Sequence, residues 1–415
     1  MAAGALASSP PVGVFGRRDF RLYMVGMFVG NVAVQIQSVA VSWQIYDLVH
    51  TPLVLGYVGL FNFLPIMLVI LPAGNYADRF DRRLIYAVSA VAQAVAAGLL
   101  LALTLSGPRQ TWPFYAILVL FGIGRAFAGP AQQALLPLLV PESQLPEAVA
   151  WSSSALNTAV IAGPAVGGGI YILGPAVAYG LCLVLFLTVA LATSAIKTRS
   201  ANRAIQPGSG LARLIAGIRY VAATPIILGS ITLDLFAVLL GTATALLPVY
   251  ARDILHIGPV GLGVLRSAPA LGAAGVGLWL GQIPLQRRAG RVMFGCVAVF
   301  GVATIAFGLS TNLALSLFAL VVWGAFDMVS VYVRGTVIQL ATPDEMRGRV
   351  SAVNRLFIGA SNELGAFRSG VTADWWGTVP SVVIGGLGTL AVVGVSWFAF
   401  PTLREVDKLT DVAPS

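Results

Sequence analysis

Three carboxylates, Asp234, Asp327 and Glu363, and the guanidiniums of Arg125, Arg334, Arg355 and Arg368 stand within or at the edges of long apolar runs in this 415-residue chain. A charge in apolar surroundings is costly, so it persists where it pairs, faces a wet cavity or exchanges a proton. Burial favours the neutral form of a carboxyl group, which makes Asp234, Asp327 and Glu363 candidates for taking up and releasing a proton during a conformational cycle. Asp327 and Arg334 are seven residues apart, about two helical turns, so they share a face without adjoining; a neighbouring helix is expected to supply the closer partner. Arg334, Arg355 and Arg368 are then partners of these carboxylates or contacts for an anionic ligand. A second pattern is uncharged. Asn31, Gln35, Ser38 and Ser42 recur at spacings of 4, 3 and 4, which sets them on one helical face. Lipid does not accept such a stripe, so it is assigned to the lining of a central cavity, with Trp43, Tyr46, Trp151, Asn157 and Trp323 as possible additions.

The elements that must position these residues follow from composition. The chain is 58% hydrophobic and 10% charged with a mean hydropathy of +0.88, more apolar than a water-facing surface tolerates, so its solvent is lipid. A spanning helix needs roughly 20 apolar residues. Runs of that kind are read at 19–48, 54–77, 84–105, 112–140, 148–171, 174–196, 225–250, 261–283, 292–309, 312–340, 349–371 and 378–400. They are too long for barrel strands, so the fold class is an all-α polytopic membrane protein with twelve transmembrane helices.

Orientation follows from the basic residues, since cytoplasmic loops collect Lys and Arg. With the amino terminus inside, the inner segments hold 18 of the 25 basic residues, which predicts a multi-pass inner-membrane protein with both termini cytoplasmic. The amino terminus shows no basic region followed by an apolar core, so the first span is expected to act as the insertion signal. The formal charge of +9 fits this topology and nearby anionic lipid head groups, and nucleic-acid binding is not expected. Cys182 and Cys296 lie in apolar runs and read as small core residues. The two lysines, Lys197 and Lys408, sit in no phosphate-binding loop, and His50 and His256 form no metal cluster, so neither an enzyme nor a cofactor is expected.

The longest polar interval divides the chain into a tail (1–18), a six-helix bundle (19–196), a cytoplasmic linker (197–224), a second bundle (225–401) and a tail (402–415). The two halves align at an offset of 202: Pro141 with Pro343, Glu142 with Asp344, Gly163 with Gly365, Gly168 with Gly370. Two pseudo-symmetric six-helix halves about a central site are therefore expected.

Between the second and third spans lies "GNYADRFDRR", residues 74–83, with five charges in ten residues. Its pattern of Gly74, Asp78, Arg79, Arg82 and Arg83 resembles the loop signature of the major facilitator superfamily, with Asp81 in place of the usual glycine. "GPAVGG", with Gly163, Pro164, Gly167 and Gly168, resembles the Gly-Pro motif of the superfamily's exporters, in which small residues permit close helix packing. "GRAFAG" places Arg125 like the superfamily's arginine motif, with Ala128 where glutamine is common. "FGRRDFRLYMVGMF", "VSWQIYDLVHTPLVLGYVGL" and "MRGRVSAVNRL" are similar to the enterobactin-exporter-like branch.

The resemblance implies a major facilitator fold and a monomeric secondary transporter working by alternating access. It would export siderophore-like or amphipathic drug-like small molecules, driven by the proton gradient. It also implies a cytoplasmic gate: Asp78 sits at a helix end whose dipole opposes an anion, and the start of the eleventh span, with Arg347 or Arg349 and free amides, would hold it. The second-half loop, "GQIPLQRRAGR", keeps Arg287, Arg288 and Arg291 but no carboxylate matching Asp78.

Overall fold

The computed structural model describes residues 13–198, 210–283, 285 and 287–412, with the side chains of 70–79, 210–211, 213 and 411–412 outside that description. The described chain is helical: α1 Arg18–Val49, α2 Leu53–Arg79, α3 Arg82–Leu105, α4 Trp112–Leu139, α5 Leu145–Tyr171, α6 Pro175–Ser194, α7 Gly210–Ala223, α8 Pro225–Gly241, α9 Gly258–Gln282, α10 Ala289–Leu309, α11 Leu313–Leu340, α12 Asp344–Trp376 and α13 Thr378–Ala399. Proline opens α6 and α8, where its missing amide hydrogen has no helical acceptor to lose. Gly174 and Gly377, with φ of 105° and 91°, turn the chain between α5 and α6 and between α12 and α13.

Nine helices among the described residues are long and apolar enough to cross a membrane. Their outer faces carry side chains such as Leu191, Leu278 and Phe398, which are 72%, 72% and 80% exposed and need lipid around them. The other three of the expected twelve are α2, α5 and α12, and the side chains of α2 are described only as far as Val69. Of α2, only Leu53–Val69 appears, as a shorter apolar helix. α12 carries polar and charged residues along most of its length, whereas α5 is lowered in hydropathy by Glu147, the serines at 152–154 and its four glycines. The expected starts at 148, 261, 292 and 349 lie three to five residues too late, since each helix continues through a polar first turn.

The interval 197–224 contains α7, an amphipathic helix that packs on α12, with Gly217 against the Arg349 carbonyl and the Tyr220 hydroxyl donating to Ala341 O at 3.0 Å. The fold reuses one packing scheme twice. In the first half α3 packs on α4 and α6, and α1 on α5 and α6; in the second α10 packs on α11 and α13, and α8 on α12 and α13. The aligned glycines occupy matching places. Gly163 of α5 lies against α1 at Val32 and Gln35, and Gly365 of α12 lies against α8 at Val238 and Leu239.

The halves meet through two symmetric crossings, α5 with α9 and α2 with α12. Gly168 of α5 abuts the Pro259 carbonyl, and its repeat partner Gly370 of α12 abuts the backbone of Gly56 in α2. Both contacts lie toward the end of the bundle away from the chain termini. There a single apolar cluster runs through both halves, joining Ile36, Ala40 and Leu55 to Leu247, Leu262 and Leu265. Nearer the termini each half has separate clusters, one around Phe20, Tyr23 and Leu135 and others around Met293, Val333 and Ile338.

Candidate functional site

Between the halves lies a cavity of about 460 Å³, a size that suits a drug-sized molecule. The stripe on α1 faces it: Asn31, Gln35, Ser38 and Ser42 all line the wall. Arg125 enters from α4 and Glu363 from α12. Two lining groups were missed in the sequence. Arg266 of α9 donates to Ser38 Oγ at 2.7 Å and to Ser42 Oγ at 2.9 Å, joining the two halves, and a lone arginine in the run 261–283 was the available signal. Gln37 is 1% exposed, and both of its amide atoms are without a protein partner.

A second missed feature is the break after α8. The helix stops at Gly241 and resumes through a tight turn at Thr244–Leu246 and a wide π turn at Tyr250–Ile254. Pro248 supplies no amide hydrogen, so the helical ladder cannot be completed there. Thr244, Ala245 and Leu247 from this break line the cavity, the setting in which irregular backbone is tolerated at membrane depth.

The cavity ends, on the side away from the termini, beneath a charged seam. Asp47 of α1 pairs with Arg252, and the Tyr46 hydroxyl donates to the Asp253 carboxylate, both contacts crossing between the halves. Polar side chains are exposed elsewhere on the helices that line the cavity: Gln133 on α4, Ser154 and Asn157 on α5, Arg355 and Asn362 on α12. Among the described residues Arg355 meets Gln133 Oε1, at 3.4 Å. Of the aromatic additions considered above, Tyr46 belongs to the seam, while Trp151 packs on Phe15 and Trp323 on Phe300.

The ionisable residues of the spans fall into separate places. Asp234 of α8 and Arg334 of α11 form a buried ion pair, 6% and 2% exposed, so the neighbouring helix supplies the partner of Arg334. Asp327 lies beside this pair on a much smaller cavity, lined also by Ser330, whose buried hydroxyl has no partner. Arg368 donates to Leu240 O at 2.6 Å, capping the end of α8. Glu363 faces Arg125 and Arg266, which act on it electrostatically. None of these three forms an ion pair within 4.0 Å among the described residues.

At the terminal side the expected gate falls partly outside the described residues. The side chains of Gly74, Asp78 and Arg79 lie outside the described residues. Arg82 donates to Ala134 O at 2.9 Å and Arg83 to Ile196 O, both within the first half. Carbonyls near a helix end carry partial negative charge, which accounts for the choice. Arg347 pairs with Asp344 at 2.6 Å, and Arg349 meets Met346 Sδ at 3.3 Å. Asp81, the departure from the loop signature, caps α3 by accepting from Arg83 N at 3.0 Å. In the second half, Asp407 of the tail accepts from Arg288 N at 3.0 Å and lies 3.6 Å from Arg287, so a carboxylate absent from that loop arrives from elsewhere.

Residues 10–414 match the family model described as transmembrane secretion effector. The chain is 28% identical to the multidrug efflux pump Tap of Mycolicibacterium fortuitum, covering 90% of this chain and 93% of that protein. It is 24% identical to macrolide efflux protein A of Streptococcus pyogenes, over 94% and 97% of the two chains. It is also 24% identical to the enterobactin exporter EntS of Citrobacter koseri, over 91% and 90%. Among solved structures, a peptide transporter of the POT type superposes with a TM-score of 0.75 at 13% identity over 97% and 98%, a likeness of fold. The chain therefore belongs to the transmembrane secretion effector family of the major facilitator superfamily, and it is a multi-pass membrane transporter rather than an enzyme.

Proposed function

We propose that this transporter exports an amphipathic or siderophore-like small molecule across the inner membrane by alternating access, in exchange for protons. The observation that carries the reading is the cavity between the halves, sealed by the glycine crossings and the charged seam at one end and reached past exposed polar side chains at the other. The excess of arginine in the loops at the terminal side makes that side cytoplasmic, so this arrangement faces inward, ready to load. Export as the direction draws support from the Gly-Pro motif and from the three relatives, each named for efflux or export. A monomer suffices, because the site lies between two halves of one chain, with lipid around it.

Orientation is tested by labelling. Cysteines introduced at Arg203 and Gly258 are expected to react with an impermeant thiol reagent from opposite sides of the membrane; the buried Cys182 and Cys296 leave a low background. Labelling from one side would remove the topology.

For coupling, Asp327 is the carboxyl proposed to carry the proton. Arg334 answers Asp234, and two guanidiniums face Glu363. An ionised Asp327 has no such counter-charge, so loading and unloading a proton there changes the energy of the second half most. In proteoliposomes with a trapped pH dye, wild-type protein should move protons when a transported drug or siderophore is added on the opposite side. Asp327→Asn is expected to abolish that flux while leaving substrate binding detectable. Normal proton-driven transport by Asp327→Asn would move coupling elsewhere. Proton and substrate moving in the same direction would make the protein an importing symporter, and no flux across a broad panel would favour a non-transporting receptor.

A further inference from the structure

The ionisable residues among those lining the central cavity are Arg125, Arg266 and Glu363. With Glu363 ionised the wall carries a net charge of +1, and with Glu363 protonated it carries +2, so the cavity is positive in either state. Each guanidinium acts electrostatically on Glu363, and among the described residues neither forms an ion pair with it within 4.0 Å. Arg266 is held in place by two neutral hydroxyls, those of Ser38 and Ser42. These hydroxyls fix the guanidinium without cancelling its charge. On the same cavity wall the Gln37 amide is almost wholly buried, and among the described residues neither its donor nor its acceptor is used and the side-chain carbonyl oxygen of Asn62 has no partner. A site arranged in this way is complete only when something with negative charge and a hydrogen-bonding group occupies it.

We infer that the molecule bound here carries an anionic group, of the carboxylate, sulfonate or phenolate class, held between Arg125 and Arg266, with an amide or hydroxyl meeting Gln37. This rests on the export reading above and narrows it. Apolar wall residues such as Val58, Leu118 and Phe121 receive the rest of an amphiphile. A cationic amphiphile would meet two guanidiniums for one carboxylate and is disfavoured. Because inner membranes are negative inside, an anion leaving through this cavity is also driven outward by the potential, at about 2.3 kcal/mol per charge for each 100 mV.

The test uses full-length protein in phosphatidylcholine vesicles and three fluorescent probes: anilinonaphthalene sulfonate, its uncharged parent N-phenylnaphthylamine, and the cation ethidium. Anilinonaphthalene sulfonate is expected to be moved in preference to the other two. Arg266→Gln is expected to weaken its binding by about 10- to 100-fold, the loss of one charge-assisted contact, while the uncharged parent changes little. Arg266→Lys, which keeps the charge, should restore part of the preference and shows that the loss is not one of folding. Equal or better handling of the neutral or cationic probe, or an equal loss for all three in Arg266→Gln, would overturn the assignment. Failure to move any probe would count against export. Equilibrium binding in the same vesicles then decides the anion assignment separately: tighter binding of the sulfonate than of its parent upholds it, and equal or weaker binding ends it.

Discussion

Asp234→Asn is expected to cost about 3–5 kcal/mol of stability, because it leaves the guanidinium of Arg334 buried with no counter-charge. The pair lies where α8 and α11 meet, both side chains are almost fully buried, and water cannot take over the role of the lost carboxylate. The cost lies in the buried partner charge left unpaired and not in the pair itself, since two buried ions regain little more than their desolvation. The double variant Asp234→Leu with Arg334→Met should therefore recover most of the stability that the single variant loses. Thermal unfolding of purified protein in detergent, followed by loss of the monodisperse peak, measures both. An Asp234→Asn protein as stable as wild type would show that the pair does not hold the second half together, and would return Asp234 to the coupling candidates beside Asp327.

A wedge at the glycine crossing is expected to act on the transport cycle instead. A Cβ at Gly168 would collide with the Pro259 carbonyl, a backbone atom that cannot move aside as a flexible side chain can. Gly168→Val should thus prevent the far ends of α5 and α9 from closing while leaving each half folded. Overpacking of this kind costs typically 1–3 kcal/mol. Set against two states that differ by a few kcal/mol, that shifts their ratio by about 5- to 150-fold. Turnover should fall steeply at near-normal expression, and a reporter cysteine replacing Thr51 should label faster from the side away from the termini. Gly370→Val, at the repeat position, should do the same through Gly56. Unchanged turnover with unchanged labelling would mean that these crossings merely pack and do not gate.

The two predictions concern features with different visibility in the sequence. Gly168 and Gly370 were visible as aligned members of two repeats, because close crossings of helices in lipid demand small residues at fixed places. The polar stripe of α1 was visible for a similar reason: its spacing is the period of the helix itself, so the face can be read without knowing what it faces. Arg266 meets the criterion that found Arg125, a lone arginine in an apolar run, and was passed over. The break after α8 was signalled only weakly, by Gly241 and Pro248. The amphipathic helix inside the central interval was hidden by the charges around it.

Everything local in origin can be read from the residues alone: lipid as the solvent, helices as the spans that satisfy their own backbone, their places to within a few residues, the repeat, and the kinds of residue that reach the centre. The tertiary structure decided which of those residues meet. Asp234 with Arg334, Arg266 with Ser38 and Ser42, Tyr46 with Asp253, and Asp407 with the loop before α10 join residues 100 or more positions apart. Such pairings depend on the rotation and depth of two helices at once, which no spacing along one of them records. The closed end was likewise decided only in three dimensions. Alternating states share the same helices and the same local patterns, and they differ only in a few kcal/mol of contact between halves.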